Sequence, residues 1–343
     1  MNIAKIACVA AVAAVAGALQ AGDPVRVGYL AEPAHGLHFI AREKGYFAEE
    51  GIDASLFQFS TTAEGCAAVK AKKLDVGTFG TAAPMLFIAK GADFTIFGGM
   101  MVGGQAIIVK PENLSLFKDL SKFKGRKVGL GKLSTGDVVF RGALKKAGID
   151  PYKDLKIIEF GGQNAVVEAV RKGAVDAGIV FSPHFSLAKE KYGLEVSNYI
   201  ADFKPGYTCC RLIANTPDLK AKRDVYRRYL IGEIRAYKFY REHPEETVKI
   251  FAKAIKLPEA LVKADTYTNR TFESNPDPLK KGTLDFWNTM NEIGYLPESA
   301  KHVDIHSHID TTIYREALDI VLKRYPNDPV YLEMDKFFKE NNQ

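Results

Sequence analysis

The feature that most constrains this chain is an internal repeat. Four pairs of short segments match when the sequence is slid against itself by about 100 residues, and three of the four share an offset of 101. A repeat of this length indicates two copies of one supersecondary unit, so we predict two similar halves. The matched pairs are Val27-Gly28 with Val128-Gly129, Gly51-Ile52-Asp53 with Gly148-Ile149-Asp150, Phe59 with Phe160, and Leu74-Asp75-Val76-Gly77 with Val175-Asp176-Ala177-Gly178.

Each copy alternates short apolar segments with helix-like segments, and this alternation predicts a mostly parallel α/β sheet flanked by helices. In the first copy we predict strands Val25–Leu30, Ala54–Phe59 and Val76–Phe79 with helices Leu37–Glu50 and Glu64–Ala71. In the second copy we predict strands Lys127–Leu130, Lys156–Phe160 and Ala177–Phe181 with helices Val138–Ala147 and Asn164–Lys172.

Two strand-like segments outside the repeat, Gln105–Lys110 and Thr208–Asn215, are flanked by Gly and Pro. We interpret them as two hinge strands that cross between the halves. The helical remainder from Asp224 is then expected to pack on the first half. These assignments give lobe I as residues 22–111 and 207–343, and lobe II as residues 112–206.

The N-terminus has the pattern of a secretory signal peptide. Lys5 precedes an uncharged stretch, Ile6–Leu19, that is followed by Ala21. This stretch is short for a membrane span, and small residues end it, as at a cleavage site. We therefore predict that residues 1–21 are a signal peptide and that the mature protein is exported to the periplasm.

The charge distribution argues against a nucleic-acid-binding protein. The net charge of +6 is spread along the chain without a basic block, which argues against a nucleic-acid partner.

Two groups of possible metal-binding or redox-active residues are interpreted as structural. Adjacent residues on a strand point to opposite faces, so Cys209 and Cys210 are interpreted as two small buried apolar side chains. The run with His302, His306 and His308 lacks the ligand spacing of a metal site, and we expect neither a metal nor a cofactor.

In order and spacing, four groups of motifs resemble the periplasmic solute-binding proteins of nitrate, sulfonate, taurine and thiamine-pyrimidine ABC importers. The resemblance implies a two-lobed type II periplasmic binding protein fold that closes on a small-molecule ligand. It also implies a partner, an inner-membrane ABC permease with its ATPase, and no catalysis; we expect a monomer. The motifs are Ala41-Arg42-Glu43-Lys44-Gly45-Tyr46-Phe47 with Glu50-Gly51-Ile52-Asp53, Leu74-Asp75-Val76-Gly77, Thr81-Ala82-Ala83-Pro84, and Phe123-Lys124-Gly125-Arg126-Lys127-Val128-Gly129.

Open α/β sheets bind ligands beyond the carboxyl ends of their strands, so we expect the ligand among the loops that follow the first and third strand of each copy. Two segments there, Gly80-Thr81-Ala82 and Ser134-Thr135-Gly136, precede helices whose free N–H groups suit an anion, although Ser and Thr are also ordinary helix caps. Glu32 could accept from an amine or a ring N–H, and Arg211 could pair with an acidic ligand or join the lobes. The candidate ligand-binding residues are Tyr29, Glu32, His35, Gly80, Thr81, Ala82, Gln105, Ser134, Thr135, Gly136, Asp137, Ser182, His184 and Arg211.

The sequence thus predicts a binding protein for import whose ligand is a small organic anion such as a sulfonate or carboxylate. A thiamine-type pyrimidine or another heterocycle in the same cleft is an alternative. A pyrimidine-synthesis enzyme of related fold and a ligand-sensing module are further alternatives. The motifs lie in the scaffold, whereas specificity depends on loop side chains, so the ligand stays open at this point.

Overall fold

The computed structural model describes residues 22–343. The predicted signal peptide, residues 1–21, lies outside the described residues. Within this part of the chain, eleven strands form two sheets, one with the strand order β11-β4-β10-β3-β1-β2 and one with the order β7-β6-β8-β5-β9. The strands are β1 Asp23–Leu30, β2 Ile52–Phe59, β3 Val76–Gly80, β4 Phe94–Gly103, β5 Gln105–Val109, β6 Lys127–Gly131, β7 Lys156–Phe160, β8 Ala177–Phe181, β9 Glu195–Tyr199, β10 Thr208–Asn215 and β11 Phe272–Ser274.

Helices cover both sheets, and no helix among residues 22–343 is long and apolar enough to cross a membrane. The first nine α-helices are α1 Leu37–Glu43, α2 Tyr46–Glu49, α3 Thr62–Lys70, α4 Ala82–Ala89, α5 Thr135–Lys146, α6 Gln163–Lys172, α7 His184–Tyr192, α8 Ile200–Phe203 and α9 Thr216–Ala221. The later ones are α10 Arg223–Glu242, α11 Pro244–Ile255, α12 Glu259–Lys263, α13 Lys280–Glu292, α14 Thr312–Arg324 and α15 Pro329–Asn342, with a π-helical turn at Ala264–Thr268.

The internal repeat corresponds to equivalent hydrogen-bonded positions in the two sheets. Val27 and Gly28 lie opposite Val76 and Gly77, and their counterparts 101 residues later, Val128 and Gly129, lie opposite Ala177 and Gly178. Both pairings are parallel. Each lobe therefore has the same three-strand parallel core, and the predicted α/β architecture is confirmed.

Two details of the first copy differ from the prediction. The helix predicted over Leu37–Glu50 is two helices, α1 and α2, separated at Gly45, whose φ of +75° ends the first helix. The strand β4 was not predicted. Its sequence contains Gly98-Gly99 within an otherwise apolar run, and glycine is depleted in strand interiors.

The two segments predicted as hinge strands do not themselves cross between the lobes, and only the first crossing lies away from its predicted boundary. Gln105–Val109 pairs with β8 and β9 of the second sheet, so it belongs entirely to lobe II. The first crossing is therefore at Gly103-Gly104, ahead of the predicted boundary at residue 111. Both glycines have positive φ, +75° and +90°, a conformation that side-chain-bearing residues rarely adopt. The second crossing leads from α8 to β10, and β10 lies entirely within the sheet of lobe I.

The C-terminal helices pack mainly on lobe I, with α10 against α1, α2 and α14. They also reach lobe II. Asp265, on the π-helical turn, is fully buried, and its carboxylate accepts hydrogen bonds from Ser182 Oγ at 2.6 Å and Ser186 Oγ at 2.5 Å. A second contact joins Lys204 of lobe II to Asp285 and to Thr289 Oγ1 on α13. Two groups of side-chain contacts therefore join the lobes in addition to the crossings.

Replacing Asp265 by alanine is expected to lower the free energy of unfolding by about 2 kcal/mol, because two serine hydroxyls lose a buried acceptor. The variant should also populate a more open form. Urea denaturation and small-angle X-ray scattering would measure the two effects. Asp285→Ala is the matched control, since the Asp285 carboxylate is mostly exposed and its pair with Lys204 should contribute under ~1 kcal/mol. Equal losses in the two variants would contradict a special role for Asp265.

Candidate functional site

A cleft of about 250 Å³ lies between the lobes, at the carboxyl ends of the parallel strands of both sheets. Leu30 ends β1, Gly80 ends β3, and Phe160 and Phe181 end β7 and β8. Lobe I lines the cleft with Leu30, Glu32, Ser60, Thr61, Thr62, Ala63, Glu64, Gly80, Cys209 and Cys210. Lobe II lines it with Gln105, Gly131, Lys132, Leu133, Ser134, Thr135, Phe160, Gly161, Gly162, Gln163 and Phe181.

Three helices begin at the wall of the cleft: α3 from lobe I, and α5 and α6 from lobe II. The Thr61 side chain caps α3 by accepting from the Glu64 amide. No side chain caps α5 or α6. The Ser134 hydroxyl at the start of α5 does not cap the helix; it accepts a hydrogen bond from the side-chain nitrogen Nε2 of Gln105 at 3.2 Å. Uncapped N–H groups and the positive end of the helix dipole favour an anionic group on the lobe II side.

The equivalent anion site predicted at Gly80-Thr81-Ala82 is blocked. Thr81 is fully buried, and both its amide and its hydroxyl donate to the Cys209 carbonyl, at 2.5 and 2.7 Å. Gly80 reaches the cleft, whereas Thr81 and Ala82 do not line it. The strand β10 supplies the blocking carbonyl, and its pairing with β3 could not be inferred from the repeat alone.

Three polar side chains meet at the floor of lobe I: Glu32, His35 and Cys210. The Leu30 amide donates to His35 Nδ1 at 3.0 Å, so the ring proton is on Nε2. His35 Nε2 lies 3.2 Å from Cys210 Sγ and 3.3 Å from Glu32 Oε1. Burial raises the pKa of Glu32 to about 8 and holds the pKa of His35 well below its usual range. Both side chains are therefore predominantly neutral at pH 7.

This cluster has the residue types of a metal site but not the protonation of one. A ligating histidine donates its second ring N–H to an acceptor, whereas the second nitrogen of His35 accepts from a backbone amide. Nε2 therefore carries the proton and has no lone pair for a metal. Burial also raises the pKa of the Cys210 thiol, which opposes the thiolate that a metal or an enzymatic nucleophile requires.

Cys209 and Cys210 are both buried, as predicted, and both residues line the cleft. Their sulfur atoms are 3.9 Å apart, and both thiols are free. The pairing of β10 with β4 shifts register between Thr208 and Cys210 and again between Cys210 and Arg211. Such irregularities interrupt the alternation of side chains along a strand. The sequence carries no visible sign of them.

Five of the fourteen candidate residues line the cleft: Glu32, Gly80, Gln105, Ser134 and Thr135. His35 lies directly behind Glu32. Gly136 packs against Gln105, since a Cβ there would approach Gln105 Oε1 to 2.4 Å. Tyr29 packs edge-on against Phe39.

The remaining candidates have partners elsewhere. Arg211 is fully buried, and its guanidinium donates to the carbonyls of Asp277 and Met101 at 2.9 and 2.8 Å, so it is neither a ligand contact in the cleft nor a salt bridge between lobes. Asp137 is buried and accepts from Arg141 Nε at 2.7 Å. Ser182 binds Asp265, and His184 lies against the Phe181 ring, where burial lowers its pKa to about 4.

Sequence reasoning missed the two loops that follow the second strand of each copy. These loops contain Thr61–Glu64 at the start of α3 and Gly161–Gln163 at the start of α6. The strand-end rule was applied to the first and third strands only. Applied to Phe59 and its repeat partner Phe160, the same rule would have identified both loops.

Comparison with known proteins gives concordant results. A family model described as "NMT1/THI5 like" matches residues 32–247. A Brucella abortus (strain 2308) protein named as a binding protein is 28% identical over 271 residues, covering 78% of this chain and 82% of that protein. A Bacillus subtilis (strain 168) protein named for binding aliphatic sulfonates is 26% identical over 291 residues, covering 82% and 84%. The periplasmic aliphatic sulphonate binding protein SsuA from Escherichia coli has a similar structure, with a TM-score of 0.69 at 20% identity, covering 85% of this chain and 99% of that one.

Replacing Glu32 by glutamine is expected to stabilise the protein increasingly as the pH rises from 5 to 8. The folded state holds a proton on Glu32 up to a pKa of about 8, whereas the unfolded chain releases it near 4.3, so the wild type loses about 1.4 kcal/mol per pH unit across this window. Urea denaturation of both proteins at several pH values would measure the difference. The exposed Glu64→Gln variant is the control. Parallel pH profiles for wild type and Glu32→Gln would contradict the burial argument.

Proposed function

The chain belongs to the NMT1/THI5-like family, and from that premise we propose that it is the solute-binding component of an ABC importer. It captures a small organic anion, such as a sulfonate or a carboxylate, in the cleft between the lobes. The observation that carries the proposal is that both lobes line one cleft and that three helices, α3, α5 and α6, begin at its wall. The named relatives, a binding protein and a protein named for binding sulfonates, support it.

Closure of the lobes explains how a ligand would be retained. A ligand that touches α3 in lobe I and α5 and α6 in lobe II makes all its contacts only when the lobes are together. That difference in affinity shifts the population toward the closed form. At the base of the cleft Thr135 Oγ1 already donates to the Cys209 carbonyl at 3.4 Å, so the described arrangement is close to a closed one.

The anion is assigned to the lobe II side of the cleft. The uncapped starts of α5 and α6 lie there, and the exposed Lys132 is the cationic side chain among the lining residues. Two rings, Phe160 and Phe181, also line this side and could stack on an aromatic ligand. These rings favour the second candidate, a pyrimidine or another heterocycle, so both chemistries belong in the screen.

Binding without catalysis fits the chemistry of the buried cluster. Glu32, His35 and Cys210 lie within reach of one another, as a nucleophile, base and orienting group would. Yet the pKa of Cys210 is raised and that of His35 is lowered, both by burial, so neither an activated thiolate nor a charged imidazole forms at neutral pH. Export to the periplasm and delivery to a membrane permease with its ATPase, by a monomeric binding protein, complete the proposal.

Thermal denaturation of residues 22–343 with sulfonates, carboxylates, nitrate and pyrimidines would test this function. A ligand present at about 100 times its Kd should stabilise the protein by about 2.7 kcal/mol. Gly161→Glu places a carboxylate where the anion would lie, in open space, and should weaken binding at least tenfold. Ala48→Glu makes the same charge change on the exposed side of α2 and should bind normally. Absence of binding by every class, or equal binding by both variants, would refute the proposal.

A further inference from the structure

The carboxyl group of Glu32 has no charged partner in a cleft that is otherwise well supplied with hydrogen-bonding groups. The residue is 2% exposed and lines the cleft directly. Among residues 22–343, the side chain within ion-pair distance of it is His35, at 3.3 Å, and that imidazole is neutral. Burying a carboxyl group is costly even when it is protonated, unless its oxygen atoms are hydrogen-bonded, so its retention at this position calls for a partner that arrives from solution.

The groups that face Glu32 from neighbouring elements are all uncharged at neutral pH. His35 follows it on the same loop, and Cys210 approaches from β10 beside Cys209. Tyr207, whose hydroxyl donates to Gln105 at 3.5 Å, carries a phenol whose pKa is raised by burial. Arg211 is next on β10, but its guanidinium donates to two backbone carbonyls instead.

Two charged side chains of the cleft lining are exposed to solvent. Lys132 on lobe II and Glu64 on lobe I are both exposed at the edge of the cleft. The interior thus has two chemically different ends. An acid without a countercharge lies on the lobe I side, and the uncapped starts of α5 and α6 lie on the lobe II side.

We propose that the cleft binds a zwitterion, an organic acid that also carries an amino group, with the ammonium group on Glu32 and the acidic group at the starts of α5 and α6. This inference rests on the proposed function and names the ligand class within it. Glu32 is the specificity-determining residue. When the ligand's ammonium group arrives, the carboxyl loses its proton to the buffer and becomes the carboxylate of an ion pair, while the ammonium group keeps its three protons.

Proton release distinguishes this arrangement from simple anion binding. An acid without an amino group gives Glu32 no reason to ionise, and its own negative charge favours the protonated carboxyl further. A neutral heterocycle could accept from or donate to Glu32 without displacing its proton. Only a cationic group in contact with the carboxyl releases close to one proton per ligand at pH 7.

Isothermal titration calorimetry in phosphate and in Tris at pH 7 would test the proposal, because a released proton makes the enthalpy depend on the buffer. The probes are two matched series of two to four carbons, sulfonates and carboxylates, each ending in either an ammonium or a methyl group. We expect the best ammonium probe to bind at least tenfold more tightly than its methyl partner and to release close to one proton. Glu32→Gln should abolish that release and the tenfold preference.

The outcomes distinguish failure of the zwitterion proposal from failure of the proposed binding function. Equal affinity of ammonium and methyl probes without proton release would overturn the zwitterion and leave an anion-binding protein. Tight binding of a pyrimidine without proton release would also overturn the zwitterion and would favour the heterocycle as the ligand. Proton release in the wild type alone supports the proposal even if Glu32→Gln folds poorly. Absence of binding by every probe, with Gly161→Glu and Ala48→Glu indistinguishable, would overturn both proposals.

Discussion

The strand β10 forms hydrogen bonds along both edges, with β3 on one side and β4 on the other, and the arrangement of the site depends on this insertion. It joins the parallel core of lobe I to the antiparallel strands that lead out of it. The same strand delivers the Cys209 carbonyl to Thr81 and the Cys210 thiol to His35. One strand therefore decides which polar groups of lobe I remain available in the cleft.

The two lobes share an architecture but offer opposite chemistry to the cleft. In lobe I the helix start after β3 is closed by a carbonyl, and the loop after β1 contributes a buried acid. In lobe II the helix starts after β6 and β7 carry no side-chain cap. The two copies thus present different groups to the cleft, a buried carboxyl group from lobe I and uncapped helix N-termini from lobe II.

The sequence was sufficient to predict what depends on periodicity and repetition. The offset of 101 residues places Val27 and Val128 in equivalent ladder positions, and the parallel strands of both copies and the helices between them follow from it. The prediction failed where one pairing between distant segments of the chain determines the local structure. The irregular pairing around Cys210 accompanies two sulfur atoms only 3.9 Å apart, and the pairing of Gln105–Val109 with β8 moves the first crossing to Gly103-Gly104. Arg211 looked like a ligand contact, because its carbonyl partners, Asp277 and Met101, are distant in the chain.

The position of β10 in the chain also determines the order in which the two lobes can fold during synthesis. Lobe II is one continuous stretch between the two crossings, and all its strands precede β10 in the chain. The sheet of lobe I is completed later, because β10, which joins β3 to β4, is synthesised only after the whole of lobe II. During that interval an incomplete sheet exposes unpaired edges, which are sites of aggregation. A chain of this topology therefore benefits from being kept unfolded until β10 is available.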